Sequence, residues 1–301
     1  MCPVAEPPNE EDWERSFRYL HFQPSVPPRL RELLRQYRLH PRKAFGQNFL
    51  VDDHVLERIV QAADLEPDDL VLEVGPGLGV LTQELARRVR RVVAVELDRD
   101  VAAALKRILA GQQNVEIVQE DILRFDPSER LGEQRYKVVA NLPYYITSPT
   151  LRHFLEARAK PSLMVVMVQR EVAERIVARP NDMSLLAVSV QVYGDPRLVM
   201  VVDPSSFYPP PKVESAVVRI DLFEKPAVDV DLEKFFRVVS AGFSQPRKQL
   251  HNTLSQAIWM PAGAAKEALT EAGIDPTRRA ESLTVDEWAR LTRALERKGL
   301  V

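Results

Sequence analysis

Between residues 52 and 222, apolar runs of strand length alternate with segments of helical periodicity, and few folds accommodate that alternation. The runs are Leu70 to Gly75, Val92 to Leu97, Val115 to Gln119, Tyr136 to Leu142, Leu163 to Val168, Ala187 to Tyr193 and Ala216 to Leu222. Candidate helices lie between them, near 54 to 64, 79 to 88, 99 to 110, 149 to 158 and 170 to 178. Strands and helices in alternation predict a parallel sheet covered on both faces, the doubly wound α/β class, here with seven strands.

After Pro226 helical periodicity takes over, and Leu232 to Phe243, Arg247 to Trp259, Ala262 to Ala272 and Val285 to Arg297 read as four helices. The last is opened by Thr284 with Glu287 three residues on, a capping box. Residues 226 to 301 are thus expected to form a small all-helical domain. At the other end, residues 1 to 26 hold five acids (Glu6, Glu10, Glu11, Asp12, Glu14) against two arginines and are broken by prolines, which predicts a disordered acidic arm. Charge then reverses: Pro27 to Ala44 carries Arg29, Arg31, Arg35, Arg38, Arg42 and Lys43 against the single acid Glu32. Leu30, Leu33, Leu34 and Tyr37 recur there at helical spacing, so a basic amphipathic helix should lead into a sheet domain ending near residue 225.

The single cysteine, Cys2, excludes an intrachain disulfide, a cysteine-based zinc site and a CxxC redox pair. The five histidines (His21, His40, His54, His153, His251) have no metal-ligand spacing. No apolar run reaches the roughly 18 residues of a membrane span, so a soluble cytoplasmic protein is expected. With 41 Lys and Arg against 43 Asp and Glu, the total charge gives no broad basic footprint. The reversal near residue 27 shows that a local one is compatible with a neutral total.

The first expected strand runs into Glu73-Val74-Gly75-Pro76-Gly77-Leu78-Gly79. Glycines at alternate positions let a ligand approach the backbone and meet helix N-terminal amides. The spacing is GxGxG rather than the GxGxxG dinucleotide fingerprint. The second strand ends at Glu96, where a carboxylate accepts hydrogen bonds from a ribose diol. The third ends in Gln119-Glu120-Asp121, and Asp121 can receive the exocyclic amine of an adenine. Glycine turn, Glu96 and Asp121 together describe an adenosine-shaped site at the switch point of the sheet.

The fourth strand ends in Asn141-Leu142-Pro143-Tyr144. The exocyclic amine of adenine is a poor nucleophile because its lone pair is delocalised into the ring. An enzyme that alkylates it must draw both N–H bonds toward acceptors, so that the nitrogen becomes pyramidal as the transition state forms. The Asn141 side-chain oxygen and the Leu142 carbonyl can be those acceptors. Pro143 sets the turn, and Tyr144 offers a face on which the base can stack.

These segments, with Ala44 to Leu50 and Phe207-Tyr208-Pro209-Pro210-Pro211-Lys212-Val213-Glu214-Ser215-Ala216-Val217, resemble the ordered motif set of the small-subunit rRNA adenine dimethyltransferases, the kasugamycin-sensitivity family. The resemblance spans residue 29 to the C-terminus. It implies a Rossmann-like class I methyltransferase, S-adenosylmethionine as methyl donor, and two adjacent adenosines in the 3′-terminal hairpin loop of 16S rRNA within the 30S particle, each dimethylated at N6. A monomer with a role in subunit biogenesis is expected. By the same resemblance Asn48, Leu50, Gly75 and Gly77 would surround the donor, Glu96 would hold its ribose and Asp121 its adenine. Asn141 would bridge donor and target. Phe207 would close the target pocket opposite Tyr144 around a flipped base. Arg42, Lys43, Lys212, Arg247 and Lys248 would contact RNA.

Two departures from the family pattern stand out. The segment Pro180 to Leu185 is about two residues shorter than usual and lacks a Tyr-Gly pair, and Pro246 occupies a position that is commonly arginine. The rival readings are a 23S rRNA adenine methyltransferase of the macrolide-resistance type, a ribosome-assembly or transcription factor on the same fold, and a nicotinamide dehydrogenase. The last would have no use for Asn-Leu-Pro-Tyr.

Overall fold

A computed structural model describes residues 28–41, 47–132 and 134–301. The expected acidic arm, Arg42 and Lys43 lie outside the described residues. Helix α1 (Pro28–Gln36) begins on a proline, whose missing N–H costs nothing at a helix start. Its Leu30 and Leu34 are buried in a cluster with Leu39, Phe49, Leu78 and Tyr208.

Strand β1 (Phe49–Leu50) is followed by α2 (Asp53–Ala62), β2 (Leu70–Val74), α3 (Val80–Ala86), β3 (Arg91–Glu96), α4 (Arg99–Ile108), β4 (Val115–Gln119) and the short α5 (Pro127–Leu131). Then come β5 (Lys137–Asn141), α6 (Thr147–Glu156), β6 (Leu163–Gln169), α7 (Arg170–Ile176), α8 (Leu185–Gln191), β7 (Gly194–Val202), β8 (Phe207–Tyr208) and β9 (Ser215–Leu222). The seven-stranded sheet has the order β4-β3-β2-β5-β6-β9-β7. Its first five strands are parallel, as expected, but β9 runs antiparallel to both β6 and β7. The sheet is therefore mixed. The order changes direction between β2 and β5, which opens a crevice at their carboxyl ends.

Alternation along the strands separates two buried layers. Leu70, Leu72, Val74, Met164, Val166 and Val168 share a cluster with α6, α7 and α8. Val71, Val92, Val139, Val165 and Met167 share another with α2 and α3. Both faces are covered, so neither layer needs a polar side.

The expected strand Ala187 to Tyr193 is not one: its apolar and polar residues alternate, yet most of it lies in α8. Ser184 caps that helix, accepting a hydrogen bond from the Ala187 N–H at 3.1 Å, and Ala187, Val188 and Val190 are buried. The N-cap and one-sided burial override the two-residue alternation. The seventh strand is instead β7, which carries Pro196 and an irregularity between Leu198 and Met200. It is an edge strand, where proline is tolerated.

Helices α9 (Leu232–Phe243), α10 (Leu250–Ala257), α11 (Ala264–Glu271) and α12 (Val285–Arg297) follow. The second starts three residues later than the periodicity suggests. The expected capping box is present: the Glu287 N–H donates to Thr284 Oγ1 at 3.1 Å, and the Thr284 N–H donates to Glu287 Oε2 at 2.8 Å. Trp288 is fully buried, and a Cβ on Gly242 would lie 2.3 Å from its ring, so α9 and α12 approach at a position only glycine allows. The cluster containing Phe235, Leu250, Leu269 and Trp288 runs without a break into the α6 to α8 side of the sheet.

Candidate functional site

The strand ends and turns on either side of the crevice enclose a cleft lined by Asn48, Gly75, Gly77, Glu96, Asp121 and Asn141, with Leu142, Pro143 and Tyr144 at one wall. Gly75, Gly77 and Gly79 all have positive φ (66°, 57° and 80°), which L side chains rarely adopt. A Cβ on Gly77 would press on the Phe49 ring at 3.3 Å, and one on Gly79 would strike Leu105 at 2.6 Å. The first two glycines keep backbone open to the cleft, and the third permits α4 to pack close.

Glu96 is buried at the end of β3. Its Oε2 accepts from the Gly77 N–H at 3.3 Å and its Oε1 from the Asp98 N–H at 2.9 Å. Burial nevertheless pushes its carboxyl up to about 7, with those amides pulling the other way. Asp121 is half-buried, and its Oδ1 accepts from the Leu123 N–H at 3.0 Å. Asn48 and Asn141 meet directly: Asn141 Nδ2 donates to the Asn48 carbonyl at 3.3 Å. Leu142 is buried, with its N–H donating to the Met167 carbonyl at 3.1 Å. Tyr144 Oη lies 2.6 Å from Ser215 Oγ, which anchors the ring to the start of β9.

An adjoining cavity is lined by Leu50, Asp52, Glu73, Gly75 and Asn141. Glu73 is 2% exposed and its Oε2 has no hydrogen-bond partner. Burial drives its carboxyl up to about 8, opposed by the nearby Thr82 hydroxyl and reinforced by Glu96. Asp52 goes the other way, because the Ser206 hydroxyl donates to its Oδ2 at 2.8 Å.

Phe207 does not line either cavity. It is 3% exposed, paired in β8 with Leu50 of β1, and shares a buried cluster with Val55 and Leu56. The expected stacking face opposite Tyr144 is therefore not formed by Phe207 in this conformation. Lys212, Arg247 and Lys248 are exposed, and none has an ion-pair partner among the described residues. The shortened segment near Pro180 is pinned instead to the helical region: the Asn181 and Met183 N–H groups both donate to the Glu281 carbonyl, at 2.9 and 3.1 Å.

The cleft is also lined by apolar residues to which the sequence assigned no role, among them Leu97, Ile122, Leu123, Tyr145 and Ile146. Leu97 is 42% exposed and Tyr145 53%, apolar surface left bare at the rim. The signal was available, since Leu97 directly follows Glu96 and Ile122 directly follows Asp121. Leu97 and Ile122 add apolar surface against which a flat ring in the cleft can pack. Among the described residues no three His, Cys, Asp or Glu side chains gather to hold a metal, and no helix is long and apolar enough to cross a membrane.

A mixed seven-stranded sheet of this order, with a glycine turn after β2 and acids ending β3 and beside the end of β4, defines a class I methyltransferase that uses S-adenosylmethionine. The donor fits what is present: open glycine backbone could take its amino-acid end, a buried acid its ribose, and Asp121 beside Ile122 and Leu123 its adenine. The family model for ribosomal RNA adenine dimethylase matches residues 38–297, and the chain belongs to that family. It is 48% identical over 270 residues to the ribosomal RNA small subunit methyltransferase A of Dehalococcoides mccartyi, covering 89% of this chain and 93% of that one. Among solved structures it is similar to the 23S rRNA methyltransferase ErmE, at 31% identity and a TM-score of 0.68 over 83% of this chain and 100% of the other. It is also similar to a dimethyladenosine transferase from Plasmodium falciparum, at 25% identity and a TM-score of 0.70 over 83% and 98%.

Proposed function

We propose that this methyltransferase dimethylates N6 of two adjacent adenosines in the 3′-terminal hairpin loop of 16S rRNA, acting as a cytoplasmic monomer on the 30S particle or its precursor. The observation that carries the reading is the Asn141 amide, held by the Asn48 carbonyl where the two cavities meet. Identity favours the small subunit as target: 48% to a small-subunit enzyme against 31% to a 23S enzyme.

S-adenosylmethionine, when bound, supplies an electrophilic methyl on a sulfonium. Transfer to the target N6 would make the new N–C bond as the S–C bond breaks, with S-adenosylhomocysteine as the leaving product. With Nδ2 committed to Asn48, Asn141 Oδ1 is the atom left to accept one N6–H, and the Leu142 carbonyl accepts the other. Both acceptors gain strength as positive charge grows on N6 in the transition state. The alkylated aminium is a strong acid and loses a proton afterwards, so no side chain need act as general base. Tyr144, anchored through Ser215, presents a fixed ring to the base. Glu96 would hold the ribose diol, and Asp121 the adenine amine, of the donor. The basic segment around Arg42 and Lys43, Lys212, and the helical region 226–301 with Arg247 and Lys248 would position the particle.

The test incubates unmethylated 30S particles, 50S particles and naked 16S rRNA with labelled donor and identifies the modified nucleoside. Dimethyladenosine in the 16S rRNA of 30S particles is the expected result. Label confined to 50S, or donor binding without transfer to any substrate, would replace the reading with one of its rivals.

A further inference from the structure

Trp259 is 92% exposed, far more than any other large apolar side chain among the described residues. It follows the C-cap of α10, Ile258, and has a φ of 56°. The Met260 N–H donates to the Ser255 carbonyl at 3.2 Å, the six-to-one bond of a Schellman turn. Glycine is the usual occupant of the left-handed position in that turn, and a bulky L residue there is strained. Ile258 and Met260 on either side pack against the core, so the turn locks Trp259 outward between two anchors.

The segment that carries it is cationic. From Lys234 to Lys266 there is no Asp or Glu, in a chain that has 43 of them. Arg247, Lys248 and Lys266 in this stretch have no ion-pair partner among the described residues. Arg247 and Lys248 precede α10 and Trp259 follows it, about 15 Å apart along the axis at 1.5 Å per residue. Cations without acids suit a polyanion, and an immobilised indole beside them suits a base, since every base has a π-face to stack.

We propose that Trp259 is a stacking platform for an unpaired base of the ribosomal RNA outside the methylated loop, with Arg247 and Lys248 holding phosphates of the same strand at the other end of α10. The inference rests on the proposed rRNA substrate. It makes the helical region a reader of single-stranded geometry as well as a basic surface.

The full chain carrying Trp13→Phe leaves Trp259 and the buried Trp288 as its tryptophans. Acrylamide quenching of its fluorescence is measured alone, with unmethylated 30S particles and with naked 16S rRNA, alongside methylation kinetics of Trp259→Tyr, Trp259→Leu and Trp259→Gly. Both RNA-containing samples should shield Trp259. The KM for particles should rise about tenfold in the Leu and Gly variants and stay within about twofold in Tyr, with kcat and donor affinity unchanged. Trp259→Gly should also melt at or above the parent temperature, which separates lost binding from lost folding. Parental KM in all variants overturns the platform while leaving the rRNA reading intact. Full function of Trp259→Leu, or shielding by particles but not by rRNA, assigns the surface to a protein contact and overturns it too. A parent that binds donor yet methylates no 16S rRNA overturns both readings together.

Discussion

Asn141 and Asn48, 93 residues apart in the chain, are joined by a hydrogen bond of 3.3 Å from the Asn141 amide nitrogen to the Asn48 carbonyl. The bond fixes which end of the Asn141 amide faces the reaction. A carboxamide offers both a donor and an acceptor, and only the acceptor serves an incoming amine. The segment before β1 thus orients a group at the end of β5 that β5 alone leaves free to flip.

Asn141→Ala should therefore lower kcat by about 10²–10³-fold with donor affinity little changed, by analogy with loss of a preorganised transition-state hydrogen bond. Single-turnover transfer and equilibrium donor binding are the two measurements. Near-parental turnover removes Asn141 from the proposed role.

Donor binding should tighten between pH 6 and pH 8. Free Glu96 titrates near 7 because it is buried, and a ribose diol donating to it favours the ionised form. Binding at neutral pH then releases part of a proton, which calorimetry in two buffers of different ionisation enthalpy detects. A flat profile, or one unchanged in Glu96→Gln, speaks against Glu96 as the ribose acceptor.

Stability of the donor-free protein should fall as pH rises through the same range. Glu73 is held protonated to about 8 against 4.5 when solvated, so between those values the folded state keeps a proton that the unfolded chain has lost. The contribution is fully present below 4.5 and gone above 8. Glu73→Gln should flatten the profile of Tm against pH; an unaltered slope would place the titration elsewhere.

Gly242→Ala should destabilise by about 1–3 kcal/mol, since the added methyl meets the Trp288 ring and both partners are in close-packed helices. Chemical denaturation measures the loss. A change within about 0.5 kcal/mol would mean that α9 and α12 can part cheaply.

Neutralising Arg247 and Lys248 together should reduce the slope of log affinity against log salt for 30S particles by about 1.5, two phosphate contacts at the value for single strands or duplex. Equal slopes in the parent and the double variant would leave both residues merely solvated.

Most of the sheet, and the glycine turn, acids and Asn141 motif that line the cleft, were legible in the sequence because they rest on local signals. Leu163 to Val168 is a short, valine-rich apolar run, the pattern of a strand buried on both faces, and the glycine turn with Glu96 and Asp121 lies at strand ends set by such runs. What stayed hidden depended on long-range pairing. Ala187 to Tyr193 has a strand's alternation but is held as a helix by Ser184 and its packing. The antiparallel β9 cannot be told from a parallel strand by composition. Phe207 carries a motif, yet its burial follows from β8 pairing with β1, which are two residues each and have no period to read.

That small ladder also sets a schedule. Phe49 pairs with Tyr208 and Leu50 with Phe207, so the wall built from the chain's first sixth is fastened by residues that follow six of the seven main strands. While the chain is being translated, the β1 wall of the cleft has no strand to pair with until Tyr208 has left the exit tunnel.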